Sequence, residues 1–371
     1  MLVIADLLLT MSVYVLIPIM PLWLMSTENF SPLETGLSMG AYAVGLYLFG
    51  AQCSWLVQRF RRNVVCMWAI VFVGLSVALL WYIDGLRSEF VEFWVILLQR
   101  LLLGASFGLA QMVLSSTLII DTCESYQRTE ANHSAAWFAR FALSLAPLAG
   151  LIAYNLVGFD KVLFGSIGCA VLSLLLIRQV TFPFRAPEEG VHVASLDRFL
   201  LPYGLILFFN LLLITTVVGL VLSLPLDAEF YAILMGGFLL ALLAQRFVFR
   251  DAELKSEIIS GLFLLLAALL ILMVYPASPI APLLMGLSVG IIGSRYLLFF
   301  IKLSRHCKRG TSQSTFFLAW ETGITLGLAL GYALFYDHRE QLFYVAISLT
   351  LVSLLFYHFH THNWFLNHKN R

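Results

Sequence analysis

Apolar residues dominate this chain in long runs, which are separated by short polar or turn-forming stretches. The runs last about 20 residues, and a helix rising about 1.5 Å per residue needs that length to cross a bilayer core of roughly 30 Å. They lack the alternation of barrel strands. The pattern predicts an all-α, polytopic membrane protein with spans near 4–25, 33–57, 64–83, 91–118, 131–155, 160–180, 199–222, 229–248, 257–275, 280–301, 311–335 and 341–361.

The second half of the chain repeats features of the first half. Leu56–Phe60 matches Leu243–Phe247, and a shift of 181 positions places Arg128–Gly150 on Arg309–Gly331. Many secondary transporters form a binding site near mid-membrane between two such repeats. The repeat predicts two six-helix bundles related by a pseudo-two-fold axis, at residues 1–183 and 199–371, with a cytoplasmic linker at 184–198.

Composition supports the membrane assignment and argues against several other classes. Hydrophobic residues make up 61% of the chain and charged residues 12%, whereas soluble domains carry roughly 45–50% and about 25%. Five cysteines without regular spacing predict free thiols. His358, His360 and His362 are interpreted as an interface cluster, because no acidic or cysteine ligand lies close in sequence. No phosphate loop or catalytic cluster is visible, so neither a cofactor, a metal nor enzyme activity is expected.

Charge asymmetry predicts the orientation. Of the 19 lysines and arginines outside the spans, 16 are cytoplasmic if both termini are cytoplasmic, and Arg87, Lys161 and Arg339 are not. The first run starts at Leu2 and is too long for a signal-peptide core, so no cleavable signal is expected, and a different initiator stays open. The expected location is the bacterial inner (plasma) membrane.

Three stretches resemble motifs of the major facilitator superfamily, whose patterns are Gly-x-x-x-Asp-Arg-x-Gly-Arg-Arg/Lys, Arg-x-x-x-Gly and Gly-x-x-x-Gly-Pro-x-x-Gly. They are Ser54–Asn63 after the second span, Arg100–Gly104 in the fourth and Ala142–Gly150 in the fifth. The resemblance covers nearly the whole chain. It implies a twelve-helix bundle that transports a solute by alternating access, without ATP.

The loop motif departs from the family pattern. In the family its acidic residue holds the two halves together on the cytoplasmic side, and here Gln58 occupies that position. The resemblance therefore implies a weakened cytoplasmic gate, because an amide carries no charge. Alternatively, the arginines are topology signals alone. The predicted gate consists of Gln58, Arg59 and Arg62 with their counterparts Gln245 and Arg246.

The fifth-span motif is associated in the family with exporters that exchange substrate against protons. In this chain Ala142 and Ala146 replace two glycines. Small residues at this spacing also form a generic helix-packing face, so the motif favours export weakly. The counterpart in the eleventh span, with Gly323, Gly327 and Gly331, predicts close helix packing in both halves.

The most specific candidate site combines Arg140 with Glu321. The 181-residue shift aligns them, and each lies about ten residues, roughly 15 Å, from the cytoplasmic start of its helix. We expect them at equal depth on facing halves. Protonating one partner of a buried ion pair changes the balance between the attraction of the charges and the cost of desolvating them. Glu321 is therefore predicted to accept the proton, and Arg140 to be its counter-ion or the substrate anchor. A static pair that fixes the interface is the alternative.

Other polar residues inside the spans are candidates for solute binding. Arg100 is expected to face the cavity, since a guanidinium in a bilayer needs water or a partner. Arg295 either lines the inner vestibule or snorkels to the interface beside Tyr296. Asp6 is expected at the water-exposed end of the first span. The neutral candidates are Asn210, Tyr14 and Gln111, followed by Tyr42, Gln52, Thr215 and Thr216.

The predicted function is secondary active transport of a small organic solute, preferably proton-coupled efflux by an antiporter. Proton-coupled or facilitated uptake of an anionic or sugar-like metabolite is one alternative, and a membrane sensor or scaffold without transport is another. Three arginines and one glutamate inside the spans sum to +2, which favours an anionic or zwitterionic solute. The expected partners are this solute, protons and membrane lipid, with no nucleic acid and a monomeric state.

Overall fold

The structure is a computed structural model that describes residues 1–85, 92–122, 128–182, 192–248, 253–305 and 308–370. Most of the predicted linker, at 184–191, lies outside the described residues, as does the side chain of Arg246. Every regular element in the described part is helical. The predicted all-α membrane fold is therefore confirmed for these residues.

The described residues of the first half form nine α-helices. They are α1 (Leu2–Tyr14), α2 (Leu16–Ser26), α3 (Pro32–Tyr47), α4 (Cys53–Arg59), α5 (Arg62–Gly85), α6 (Phe93–Val113), α7 (Ile119–Thr122), α8 (Arg128–Val157) and α9 (Phe159–Gln179). A π-helical turn, Leu114–Leu118, connects α6 to α7. Helix α3 starts at a capping box in which Ser31 and Glu34 bond reciprocally, with Pro32 at the first position.

The second half starts with a 3-10 turn at Pro202–Gly204, and its described residues continue with seven α-helices. They are α10 (Leu205–Leu222), α11 (Ala228–Phe247), α12 (Leu254–Val274), α13 (Ile280–Leu303), α14 (Arg309–Phe335), α15 (Arg339–Phe356) and α16 (His362–His368). A second π-helical turn, Tyr357–Thr361, lies between α15 and α16.

Within the described residues, eleven helices are long and apolar enough to cross a membrane. They coincide with eleven of the predicted spans. The predicted second span, 33–57, contains both α3 and α4, because a turn at 48–52 interrupts it. The break includes Gly50, where a Cβ atom would lie 2.1 Å from the ring of Phe199. The tight approach of this ring explains the glycine.

Small residues let the helices pack closely in both halves, as the sequence predicts. A Cβ atom on Gly104 of α6 would lie 2.1 Å from the carbonyl oxygen of Tyr42, and one on Gly286 of α13 would lie 2.1 Å from that of Leu234. One on Gly327 of α14 would lie 2.2 Å from the carbonyl oxygen of Thr216. Larger side chains would force these helices apart.

Helices of the two halves also meet each other, α3 against α14 and α8 against α11 and α13. The end of the bundle that holds residues 192–201 and the start of α14 is called the linker end, and the other is the opposite end. At the opposite end, a Cβ atom on Gly36 of α3 would lie 2.6 Å from the carbonyl oxygen of Ala329 on α14.

Candidate functional site

Two small chambers lie between the halves. The first has a volume of about 40 Å³ and is lined by Asp6, Thr10, Tyr14, Gln111, Ser115, Ala136, Ala139, Arg140, Gln313, Phe316, Phe317, Trp320 and Glu321. The second, of about 20 Å³, is lined by Val13, Tyr14, Ile17, Met39, Tyr42, Arg100, Glu321, Ile324, Thr325 and Leu328. Both have room for water but not for an organic solute. The structure therefore corresponds to a closed conformation.

Glu321 forms part of the wall of both chambers. Its carboxylate accepts a hydrogen bond from the hydroxyl of Tyr14 on α1 and another, of 3.1 Å, from the hydroxyl of Tyr42 on α3. The side chain is 3% exposed. Two hydroxyl groups of the first half thus hold a buried carboxylate of the second, and these bonds connect the halves at the centre of the bundle.

Arg140 shares the first chamber with Glu321 but forms no ion pair with it among the contacts of the described residues. Its Nη2 donates to Ser294 Oγ at 3.1 Å, and its guanidinium stacks over the rings of Phe316 and Trp320. Gly293 makes room for it, since a Cβ atom there would lie 2.8 Å from Arg140 Cδ. Its Nε and Nη1 are buried without a hydrogen-bond partner in the described part of the chain.

Arg100 has a similar environment in the second chamber, where it is 4% exposed. Its guanidinium lies 5.4 Å from the centre of the Tyr42 ring, and Nη2 contacts Met39 Sδ at 3.8 Å. Nε and Nη1 find no acceptor in the ranges that the structure covers. The structure thus brings together five of the predicted site residues around the two chambers: Arg100, Arg140, Glu321, Tyr14 and Gln111.

Asp6 was expected at the water-exposed end of the first span, and this expectation is wrong. Asp6 is 2% exposed and lines the first chamber. Gln111 Nε2 donates to Asp6 Oδ1 at 2.8 Å and to Thr10 Oγ1 at 2.9 Å. Asp6, Thr10 and Tyr14 are spaced four residues apart along α1, which places them on one face of the helix. This polar stripe is the sequence signal for Asp6.

Two predicted substrate residues lie outside the chambers. Arg295 Nε forms an ion pair with Glu257 on α12, a partner that was not predicted from the sequence. Asn210 accepts a hydrogen bond from Tyr296 and donates to the carbonyl oxygen of Ser353 at 3.2 Å, within the second half. A buried polar group needs such partners, so the structure gives Asn210 a packing role between α10, α13 and α15.

The residues of the predicted gate lie at the linker end. Gln58 Nε2 donates weakly to Ser54 Oγ at 3.4 Å, and Gln245 Nε2 donates to the carbonyl oxygen of Gly290 at 3.4 Å. Arg59 ends α4 as an exposed side chain, and Arg62 begins α5. The amide groups of Gln58 and Gln245 thus each bond within their own half.

The helical bundle, its central chambers and their buried charges are features of membrane transporters. The Major Facilitator Superfamily model matches residues 2–327, and the chain belongs to this family. It is a multi-pass membrane protein. No curated protein sequence matches the chain.

Solved transporter structures share its fold. The chain is similar to the inward-open xylose transporter XylE from E. coli, with 14% identity, a TM-score of 0.70 and coverage of 96% of this chain and 94% of that chain. It is also similar to the human organic anion transporter MFSD10 (TETRAN), with 16% identity, a TM-score of 0.67 and coverage of 96% of this chain and 97% of that chain. A D-xylose–proton symporter is similar with 15% identity, a TM-score of 0.68 and coverage of 96% of this chain and 95% of that chain.

Proposed function

We propose that the chain transports a small organic anion or zwitterion in a proton-coupled manner. The observation that carries this proposal is Arg140, a buried guanidinium whose Nε and Nη1 have no partner among the described residues. A guanidinium with unpaired N–H donors is complementary to a carboxylate or a phosphate. The aromatic rings of Phe316 and Trp320 beside it suit the organic part of the solute.

Alternating access would bring the solute to Arg140. We propose that residues 1–183 and 199–371 rock about the two chambers as rigid bundles. The protein is proposed to work as a monomer in the bacterial inner membrane, with both termini in the cytoplasm. Gln58, Arg59, Arg62, Gln245 and Arg246 would then lie near the cytoplasmic opening.

Glu321 is proposed to carry the proton. Among the described residues that line the chambers, Asp6 and Glu321 carry carboxyl groups and Arg100 and Arg140 carry guanidinium groups. If both carboxylates are ionised, their charges offset those of the two arginines. A proton on Glu321 leaves an excess positive charge, which attracts an anionic solute. Proton and anion therefore bind cooperatively, and this coupling favours movement in the same direction.

Proton-driven efflux by exchange is the second candidate. It is supported by the small-residue stretch of α8, where Ala142 and Ala146 are buried and a Cβ atom on Gly150 would lie 2.7 Å from a methyl group of Val15. The stretch lets α8 approach the connection between α1 and α2 closely. For exchange, a proton and the solute would compete for the cavity rather than bind together.

The test is proton flux in proteoliposomes that contain a pH-sensitive dye, challenged with pooled organic acids, amino acids, sugars and amphiphilic drugs. We expect an acid or a zwitterion to produce a pH change that is lost in Glu321→Gln. Glu340→Gln, an exposed residue in the first turn of α15, is the matched control and should behave as the native protein does.

The direction of the pH change separates the candidates. Protons that accompany the solute support the first candidate, and protons that move against it support exchange. An equal response in Glu321→Gln and the native protein would refute the role of Glu321. Solute binding without any flux would contradict transport and favour a sensor.

A further inference from the structure

The last residues of the linker and the first residues of the second half cross the linker end of the bundle. This segment, Ser195–Leu201, is called the clasp. Its attachment to the first half includes a backbone hydrogen bond of 2.8 Å from Ser195 N to the carbonyl oxygen of Ala51. Arg198 Nη1 also donates to Thr117 Oγ1, in the π-helical turn after α6, at 3.0 Å.

The clasp is attached to the second half by two threonines of α14. Thr311 Oγ1 accepts the backbone N–H of Arg198 at 2.8 Å, and Thr315 Oγ1 accepts that of Leu201 at 2.8 Å. Both threonine side chains are buried. Two backbone N–H groups of the clasp are therefore satisfied by side chains of the second half. This half must move if this end of the bundle opens.

One carboxylate connects both sets of contacts. Asp197 Oδ1 accepts from Thr311 Oγ1 at 3.0 Å, and Asp197 Oδ2 lies 3.5 Å from the hydroxyl of Ser54 on α4. Thr311 is in the first turn of α14, where the helix dipole favours a negative charge. Gln58, the neutral residue of the predicted gate, bonds to the same Ser54 hydroxyl.

One residue of the clasp has an unusual backbone conformation that its surroundings hold in place. Arg198 has a φ of 60°, in the left-handed region that non-glycine residues rarely adopt. Such a conformation persists where the surroundings fix it. Next to it, the ring of Phe199 packs against Gly50 in the break between α3 and α4, and edge-on against Tyr47.

We infer that the clasp is a releasable lock of the linker end, in which Asp197 supplies the carboxylate that position 58 lacks. It holds α4 of the first half and α14 of the second together in the closed state. This end can open after the carboxylate leaves Ser54 or Thr311. The lock does not depend on which solute or ion is transported, so it stands or falls separately from the proposed function.

The test measures how fast a water-soluble maleimide reaches a cysteine at position 116, in a full-length variant whose native cysteines are replaced by alanine. Ser116 is buried between the halves, where Gly310 of α14 packs against its backbone. We expect Asp197→Ala to accelerate labelling about tenfold, the effect of losing a hydrogen bond to a charged group.

Two further variants make the result specific. Asp227→Asn alters a carboxylate that caps α11 at the opposite end, and it should leave the labelling rate unchanged. Gln58→Asp added to Asp197→Ala should slow labelling again, because it returns a carboxylate beside Ser54.

A native labelling rate in Asp197→Ala would overturn the lock. So would a double variant that labels as fast as Asp197→Ala, since Asp197 would then act through the fold of the linker alone. Monodisperse elution of each variant in detergent confirms that labelling reports opening rather than unfolding.

Discussion

Several polar side chains that line the chambers have their partners on the other half of the molecule. Tyr14 and Tyr42 donate to Glu321, and Arg140 donates to Ser294. A buried polar group without a partner costs about 1–3 kcal/mol. Separation of the halves therefore requires water or solute to replace these partners, which couples opening to the occupancy of the cavity.

A substitution of Arg140 by lysine tests whether this residue binds the solute. Lysine keeps the charge but loses the planar fork, so we expect the KM for the solute to rise about tenfold with a smaller change in kcat. Initial rates of uptake into proteoliposomes measure both. Arg178→Lys, at the exposed end of α9, is the matched control. An unchanged KM would show that the solute does not contact Arg140.

The sequence repeat indicates which residues lie at the same depth in the bundle. The alignment of Arg140 with Glu321 places both in one chamber, although it does not show that tyrosines hold the carboxylate. The ion pair of Arg295 was not predicted because its partner, Glu257, lies on another span, and sequence periodicity contains no information about which spans are neighbours.

Among the helices, close approach at glycine is the main constraint, and it follows from the spacing of small residues in the sequence. The break between α3 and α4 does not follow from hydropathy, because the run from 33 to 57 stays apolar through it. At the break, the ring of Phe199 reaches Gly50 from the clasp. It is a tertiary effect on a local pattern.

Gly327→Ala tests this packing. Its Cβ atom would meet the backbone of α10, so we expect destabilisation of about 1–3 kcal/mol and a lower Tm of the purified protein in detergent. Gly165→Ala in α9 is the control, because no described atom lies within 4 Å of the added methyl. It should be neutral or stabilising by about 0.5–1 kcal/mol. Equal Tm values for both variants would contradict the tight α10–α14 contact.

For the whole molecule, the structure shows contacts between the halves at both ends. The clasp joins them at the linker end, and at the opposite end Gly36 lets α3 lie against the backbone of α14. With chambers of about 40 Å³ and 20 Å³ between them, this is an arrangement through which the proposed alternating access would pass. Motion then depends on which closure releases first.

Gly36→Val should release the opposite end. The new side chain would overlap Ala329 and Ala333, so we expect a longer distance between spin labels at positions 33 and 334 and slower solute transport. Gly74→Val in α5, where the described structure leaves open space, is the matched control. An unchanged distance distribution would show that this contact does not hold the end closed.

The two closures respond to different physical variables. Asp197 and Arg198, whose side chains are 43% and 27% exposed, make a polar closure that water and dissolved ions can reach, whereas Gly36 makes an apolar contact between small residues. Dissolved ions compete for an exposed carboxylate and guanidinium and leave apolar contacts almost unchanged. Salt should therefore speed opening at the linker end alone, which makes the ratio of the two opening rates adjustable by the medium on one side of the membrane.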